Sequence, residues 1–190
     1  MKQQLKQALS RRQKSCIVDT GKMPSAVLLP VYYKQGEYHI LFTMRTDKVK
    51  AHKGQISFPG GAYEEHDGIL VNTALRECSE EICLVAEDVE ILGELDDIAT
   101  FVSNYIISPF VAVIPWPYQF KADPFEVEEI IEVPISKLLD ESCLHKETEF
   151  VNGEEFIAYF YHYQDKVIWG ATARILAQFL DIYTNVINKG

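Results

Sequence analysis

The stretch Arg76-Glu77-Cys78-Ser79-Glu80-Glu81 places three carboxylates three and four residues apart. On a helix these positions share one face. Like charges at that spacing repel by about a few tenths of a kcal/mol per pair. A hard divalent cation reverses that cost, because Mg²⁺ and Mn²⁺ prefer carboxylate and water oxygens. Arg76 reaches Glu80 at i,i+4 and can hold one carboxylate in place. Alone, the same string describes many solvated acidic helix faces. Its setting argues for chemistry. The helix follows Pro59-Gly60-Gly61, and glycines let backbone carbonyls approach a ligand or metal. Carboxylates on a helix, fed by such a loop, suit a diphosphate site.

The elements around this segment follow from hydrophobic spacing. Val71, Ala74, Leu75, Cys78 and Ile82 recur at three- and four-residue steps, which predicts a helix over 69–84 with Leu75, Cys78 and Ile82 turned to the core. Upstream, a polar helix over 2–14 precedes strands over 25–33 and 38–45, joined as a hairpin across Lys34-Gln35-Gly36-Glu37. A polar loop over 46–54 leads to a short strand over 55–58, which Pro59-Gly60-Gly61 breaks. Downstream, strands are expected over 89–95 and 105–114, and a short helix over 135–139. The run over 126–133 is ambiguous by pattern and ends at Pro134. A hairpin across Asn152-Gly153 joins 150–151 to 156–163, and a closing helix spans 169–186. Helices and strands intermix without a strict βαβ rhythm, so an α+β sandwich is the expected class. The expected organisation is one domain over 1–190, with residues 1–20 as a helical N-terminal extension.

Composition bounds the function. The 190-residue chain is 47% hydrophobic and 24% charged, ordinary values for a globular protein. Its net charge of −10 repels phosphate backbones, which argues against nucleic-acid binding. An anionic ligand would therefore need local cations, either Lys and Arg or a metal on clustered carboxylates. Cys16, Cys78, Cys83 and Cys143 form no C-x-x-C pair, so neither a zinc site nor a disulfide framework is expected. The N-terminus lacks an apolar signal core, and no apolar run approaches the roughly 20 residues needed to span a bilayer. The expected location is the cytoplasm, with no membrane partner. A homodimer is left open.

The segment from Gly61, GAYEEHDGILVNTALRECSEEICL, resembles the Nudix box, G-x5-E-x7-R-E-U-x-E-E-x-G-U with U aliphatic. The R-E-U-x-E-E core falls on Arg76 to Glu81, with Cys78 at U. Asp67 replaces the first glutamate, with one extra residue before Arg76, and it is given no metal role. Cys83 stands at the late glycine. Upstream, Leu41-Phe42-Thr43-Met44-Arg45-Thr46, Lys50, Gly54 and Phe58-Pro59-Gly60-Gly61 resemble the signature L-L-T-x-R-[SA]-x3-R-x3-G-x3-F-P-G-G of the coenzyme A diphosphatase branch. Thr46 replaces Ser or Ala there. Lys50 replaces Arg, which keeps charge but loses bidentate phosphate geometry. The runs over 126–134 and 168–173 are similar to that branch as well.

The resemblance implies a Nudix-like mixed-sheet α/β/α sandwich and in-line attack of water on a diphosphate, with Mg²⁺ or Mn²⁺ as cofactor. Carried over by residue, Glu77 and Glu81 are metal ligands. Glu80 is a further ligand or orients water, Arg76 belongs to the catalytic motif, and Gly61 adds a backbone carbonyl. Glu126 and Glu129 are candidates for a further acidic group at the substrate. Arg45, Lys50, His52 and Lys53 form a cationic stretch that could receive the 3′-phosphate or diphosphate of coenzyme A. The expected reaction is hydrolysis of coenzyme A or acyl-CoA to 3′,5′-ADP and (acyl-)4′-phosphopantetheine. The alternatives are another nucleoside diphosphate derivative (ADP-ribose, a dinucleotide, an oxidised nucleotide) or a non-catalytic nucleotide-binding module, which would be expected to carry a broken R-E-U-x-E-E core.

Overall fold

The computed structural model describes residues 1–19, 21–48, 53–101, 103–151 and 153–188. In chain order these form α1 (Lys2–Ser10), β1 (Met23–Lys34), β2 (Glu37–Arg45), β3 (Ile56–Ser57), β4 (Gly60–Ala62), α2 (Leu70–Ile82), β5 (Glu90–Glu94), β6 (Ile98–Ala99), β7 (Tyr105–Val113), β8 (Val127–Pro134), α3 (Ile135–Leu138), β9 (Leu144–Val151), β10 (Glu154–Tyr163), β11 (Lys166–Ile168) and α4 (Gly170–Ile187). The main sheet runs β3-β2-β1-β7-β5, with β4 on β1, β6 on β7 and β8 on β2. Its centre is the parallel pair β1–β7, in register from Met23 opposite Tyr105 to Val31 opposite Val113. The other pairings are antiparallel, so the sheet is mixed. Strands β11-β10-β9 form a second, smaller sheet.

The central strand explains the layers. Strand side chains alternate between faces, and β1 is buried on both. Ala26, Leu28 and Tyr32 pack with Ala74, Cys78 and Ile82 of α2. Leu29 and Val31 pack on the other side with Leu5 and Leu9 of α1 and with Ile175, Leu176 and Phe179 of α4. The result is the α+β sandwich expected from the sequence. On α2 the apolar phase is rotated slightly from expectation: Ala74, Cys78 and Ile82 are fully buried, whereas Leu75 is partly exposed.

Several boundaries differ from the sequence reading. Helix α1 stops at Ser10 rather than continuing to 14. Beyond it the acidic segment 94–97 captures the chain: Arg12 pairs with Asp96 at 2.8 Å, and the Ser15 and Ile17 amides donate to Asp96 and Asp97 at 2.9 and 3.0 Å. Pro59-Gly60-Gly61 does not simply break the chain, because Gly60–Ala62 is strand β4 on β1. Strand β9 begins at Leu144 rather than 150. Its polar run His145 to Glu149 lies on a sheet edge, where no alternation of buried side chains is imposed. Strand β8 settles the ambiguous run over 126–133, and β11 was not expected.

The N-terminal helix belongs to the core, with Leu5 only 1% exposed. A Leu5→Ala variant should therefore lose about 2–4 kcal/mol of stability in urea unfolding. A change below about 0.5 kcal/mol would show that α1 is a dispensable appendage.

Candidate active site

Three segments meet at one end of the β1–α2 layer. The first is β4. At Gly60, with φ +151°, an added Cβ would stand 2.3 Å from the Ala26 carbonyl oxygen. At Gly61 it would stand 2.4 Å from the Glu77 carboxyl carbon. Both glycines are therefore required for close approach, the second because a carboxylate lies directly on the strand.

The second segment is the entry to α2. Asp67 is buried, and its carboxylate takes Arg76 in a two-pronged pair, Nε to Oδ1 at 2.8 Å and Nη2 to Oδ2 at 3.2 Å. The Glu64 amide and Thr73 hydroxyl donate to Oδ2 at 2.9 and 2.8 Å. Arg76, the Glu64 amide and Thr73 hold the carboxyl well below the usual carboxylate range against the opposing effect of burial. Arg76 spends its remaining donors on the Ala62 carbonyl at 3.0 Å, Glu77 at 2.9 Å and Glu80 at 3.0 Å. The expected Arg76–Glu80 pair is present, but Asp67 is the stronger anchor. Sequence reasoning gave Asp67 no partner. The available signal was its place near the family's first glutamate, obscured by the extra residue before Arg76.

The third segment is the chain around Glu81. Its side chain is 2% exposed, against 58% for Glu80. The Oε1 atom meets Arg45 Nη1 at 3.5 Å, while Oε2 is buried without a hydrogen-bond partner among the described residues. Burial pushes the carboxyl up to about 8. The Arg45 guanidinium and the Gly60 amide oppose this rise, while the charges of Glu77 and Glu126 add to it. Glu77 is raised too, chiefly by burial and despite Arg76, with Glu80 and Glu126 contributing. The backbone leading to Glu126 is docked on the end of α2: the Lys121 amide donates to the Ile82 carbonyl at 3.1 Å and that of Asp123 to Glu81 at 2.8 Å.

The structure thus brings Glu77, Glu81, Gly61, Arg76 and Arg45 together, with Glu126 in electrostatic reach and Glu80 at the rim. The Glu129 carboxylate is taken instead by Lys166 at 3.0 Å. Lys50 and His52 lie outside the described residues. With Glu77 and Glu80 turned onto Arg76, no three Asp, Glu, His or Cys side chains stand preassembled as a metal cage among the described residues. The donor chemistry nevertheless fits a hard divalent cation. The groups are carboxylate oxygens, one of them is buried and unpaired among the described residues, and burial keeps two carboxylates from ionising readily despite Arg45 and Arg76.

The family model for the NUDIX domain matches residues 22–162. The chain belongs to the Nudix family. It is 36% identical over 154 residues to a Photorhabdus laumondii protein described as the uncharacterized Nudix hydrolase NudL, covering 81% of each chain. Against a Yersinia pestis protein of the same description it is 34% identical over 152 residues, 80% of this chain and 75% of the relative. Among solved structures, a MutT/nudix family protein from Enterococcus faecalis superposes with a TM-score of 0.59 at 13% identity, covering 99% of this chain and 75% of that one. The NUDIX domain of Shewanella oneidensis NrtR in complex with ADP ribose gives 0.52 at 17% identity, covering 64% and 78%. At these identities the structures establish the Nudix fold alone. The sequence relatives and the domain match make the protein a Nudix hydrolase, an enzyme of the pyrophosphohydrolase class. Nudix hydrolases generally use divalent metal ions such as Mg²⁺ or Mn²⁺. No helix among the described residues is long and apolar enough to cross a membrane.

The Asp67–Arg76 pair makes stability depend on pH. A carboxylate whose folded pKa is depressed adds stability that is present above its unfolded pKa and lost as pH falls below it. Asp67→Asn should therefore cost about 2–4 kcal/mol at pH 7, with the difference from wild type shrinking below about pH 4. Urea unfolding across pH 3 to 8 measures it. A pH-independent difference would mean that the pair contributes no linked charge.

Proposed function

We propose that this Nudix hydrolase cleaves coenzyme A or acyl-CoA to 3′,5′-ADP and (acyl-)4′-phosphopantetheine. The observation that carries the reading is that the upstream signature resembling the coenzyme A branch supplies the very groups that meet the carboxylates. Arg45 lies on Glu81, and Gly61 lies against Glu77. Thr46 and Gly54 of the same signature join Arg45, Lys48 and Glu128 in lining a cleft of about 280 Å³. Arg45 and Lys48, beside the acidic Asp47 and Glu128 of the same lining, are the groups that would receive the 3′-phosphate that distinguishes coenzyme A from simpler nucleoside diphosphates.

In this reading Glu77 and Glu81 hold the Mg²⁺ or Mn²⁺, with Glu126 as a further acidic group and the Gly61 backbone as a close neighbour. The cation, when bound, supplies charge neutralisation on the diphosphate and a more acidic water. Arg76 orients Glu77 and Glu80 from its anchor on Asp67. Glu80, the most exposed of the three, orients the attacking water. Arg45 keeps the Glu81 carboxylate aimed at the site from β2.

A substrate panel tests this reading: coenzyme A, acyl-CoA, ADP-ribose, NADH and 8-oxo-dGTP, each with Mg²⁺ and with Mn²⁺. Coenzyme A and its thioesters should turn over fastest. Glu81→Gln should lose about 100-fold or more in kcat while remaining folded. Turnover of another compound with coenzyme A untouched would refute the substrate, and a fully active Glu81→Gln would refute the metal assignment.

A further inference from the structure

Thr46 follows directly on β2, and it is almost wholly buried, 2% exposed. Its hydroxyl donates to the Phe125 carbonyl at 2.6 Å and accepts from the Lys48 amide at 3.3 Å. Its own amide donates to the Glu126 carbonyl at 3.0 Å. One residue thus grips the backbone on both sides of the 125–126 peptide. Around it the turn is pinned further. The Phe125 amide donates to the Asp123 carboxylate at 2.7 Å, and Lys48 Nζ donates to the Pro124 carbonyl at 3.0 Å. Asp123 is itself bonded to the Glu81 carbonyl, and Val127 pairs with Arg45 across β2 and β8. Glu126 therefore sits between an anchor on the helix of Glu81 and an anchor on the strand of Arg45.

We propose that Thr46 is a positioning residue that fixes the turn 124–126 and thereby holds the Glu126 carboxylate toward Glu77 and Glu81. This rests on the role given to Glu126 in the proposed function. The electrostatic influence of Glu126 on both buried carboxylates agrees with that placement. The neighbouring Arg45 contacts Glu81 directly, so consecutive residues at the end of β2 serve two acidic groups from different parts of the chain. Thr46 acts through the backbone of that turn, its hydroxyl being spent on the Phe125 carbonyl. A hydroxyl is what the geometry needs: valine would fill the volume and leave the Phe125 carbonyl without its donor, whereas serine would keep the bond.

The test is Mn²⁺ binding to the full-length protein without substrate, followed by electron paramagnetic resonance titration, with thermal unfolding in parallel. Thr46→Val should weaken Mn²⁺ binding about tenfold, in the range found when a ligand's hydrogen-bond partner is lost. Thr46→Ser should bind as wild type. Glu126→Gln should weaken binding at least as much, and adding Thr46→Val to Glu126→Gln should cause no further loss, because the two act through one group. A purely structural hydroxyl would lower the unfolding temperature of Thr46→Val and leave its Mn²⁺ affinity intact, which overturns the inference. Fully additive losses, or a Thr46→Ser variant as weak as Thr46→Val, overturn it as well. An unaltered Glu126→Gln refutes the role of Glu126 itself and the inference with it. Loss of coenzyme A turnover as the preferred reaction, with these binding results intact, would instead refute only the substrate.

Discussion

A carboxylate buried beside a second carboxylate, with one oxygen unpaired among the described residues, is the constraint on which the rest of this structure depends. Glu81 is enclosed, its side-chain partner among the described residues is Arg45 at the limit of hydrogen bonding, and Glu77 stands nearby. Desolvating an ionised group is costly unless opposite charge meets it. Here burial and like charge keep Glu81 from ionising readily until about pH 8. Such a group makes a poor structural element and a good ligand for a hard cation.

The surrounding elements serve to keep that arrangement in place. Strand β4 can lie under Glu77 because Gly61 has no side chain, and it can lie on β1 because Gly60 has none. Asp67 fixes Arg76, and Arg76 then apportions its donors between Glu77 and Glu80. Arg45 and Thr46 bring β2 against Glu81 and the 124–126 turn. The main sheet, with apolar packing on both faces of β1, gives these contacts a rigid frame. Helix α1 lies outside the matched NUDIX range yet contributes Leu5 and Leu9 to the same core as α4.

Much of this was legible in the sequence where a periodic rule applied. The 3.6-residue phase of α2 put the glutamates on one face and Cys78 and Ile82 on the other, as found. Cys83 at the glycine position indeed adopts the left-handed conformation, φ +55°, that glycine favours at a helix end. What phase could not show is depth: Glu77, Glu80 and Glu81 read alike on a helix, but packing of β2 and the 115–126 segment buries Glu81 and leaves Glu80 at the rim. Long-range pairings were also hidden. Asp67 with Arg76, Lys166 with Glu129 and Thr46 with the Phe125 carbonyl join residues whose spacing follows no local period. The strand character of Gly60–Ala62 was masked by residues that ordinarily interrupt strands.

Glu81 is a buried carboxylate whose charge is unfavourable until opposite charge meets it. A carboxyl with a raised folded pKa withdraws stability as pH climbs from its unfolded value, near 4.5, to its folded value of about 8. The direct measurement is unfolding free energy of wild type and Glu81→Gln from pH 5 to 9, with and without Mn²⁺. Without metal, the variant should become more stable than wild type by about 1–3 kcal/mol as pH rises through this window. With Mn²⁺, wild type should recover that deficit increasingly toward high pH, and the variant should gain little. Equal pH profiles for the two proteins, or a Mn²⁺ stabilisation that Glu81→Gln retains in full, would contradict the account.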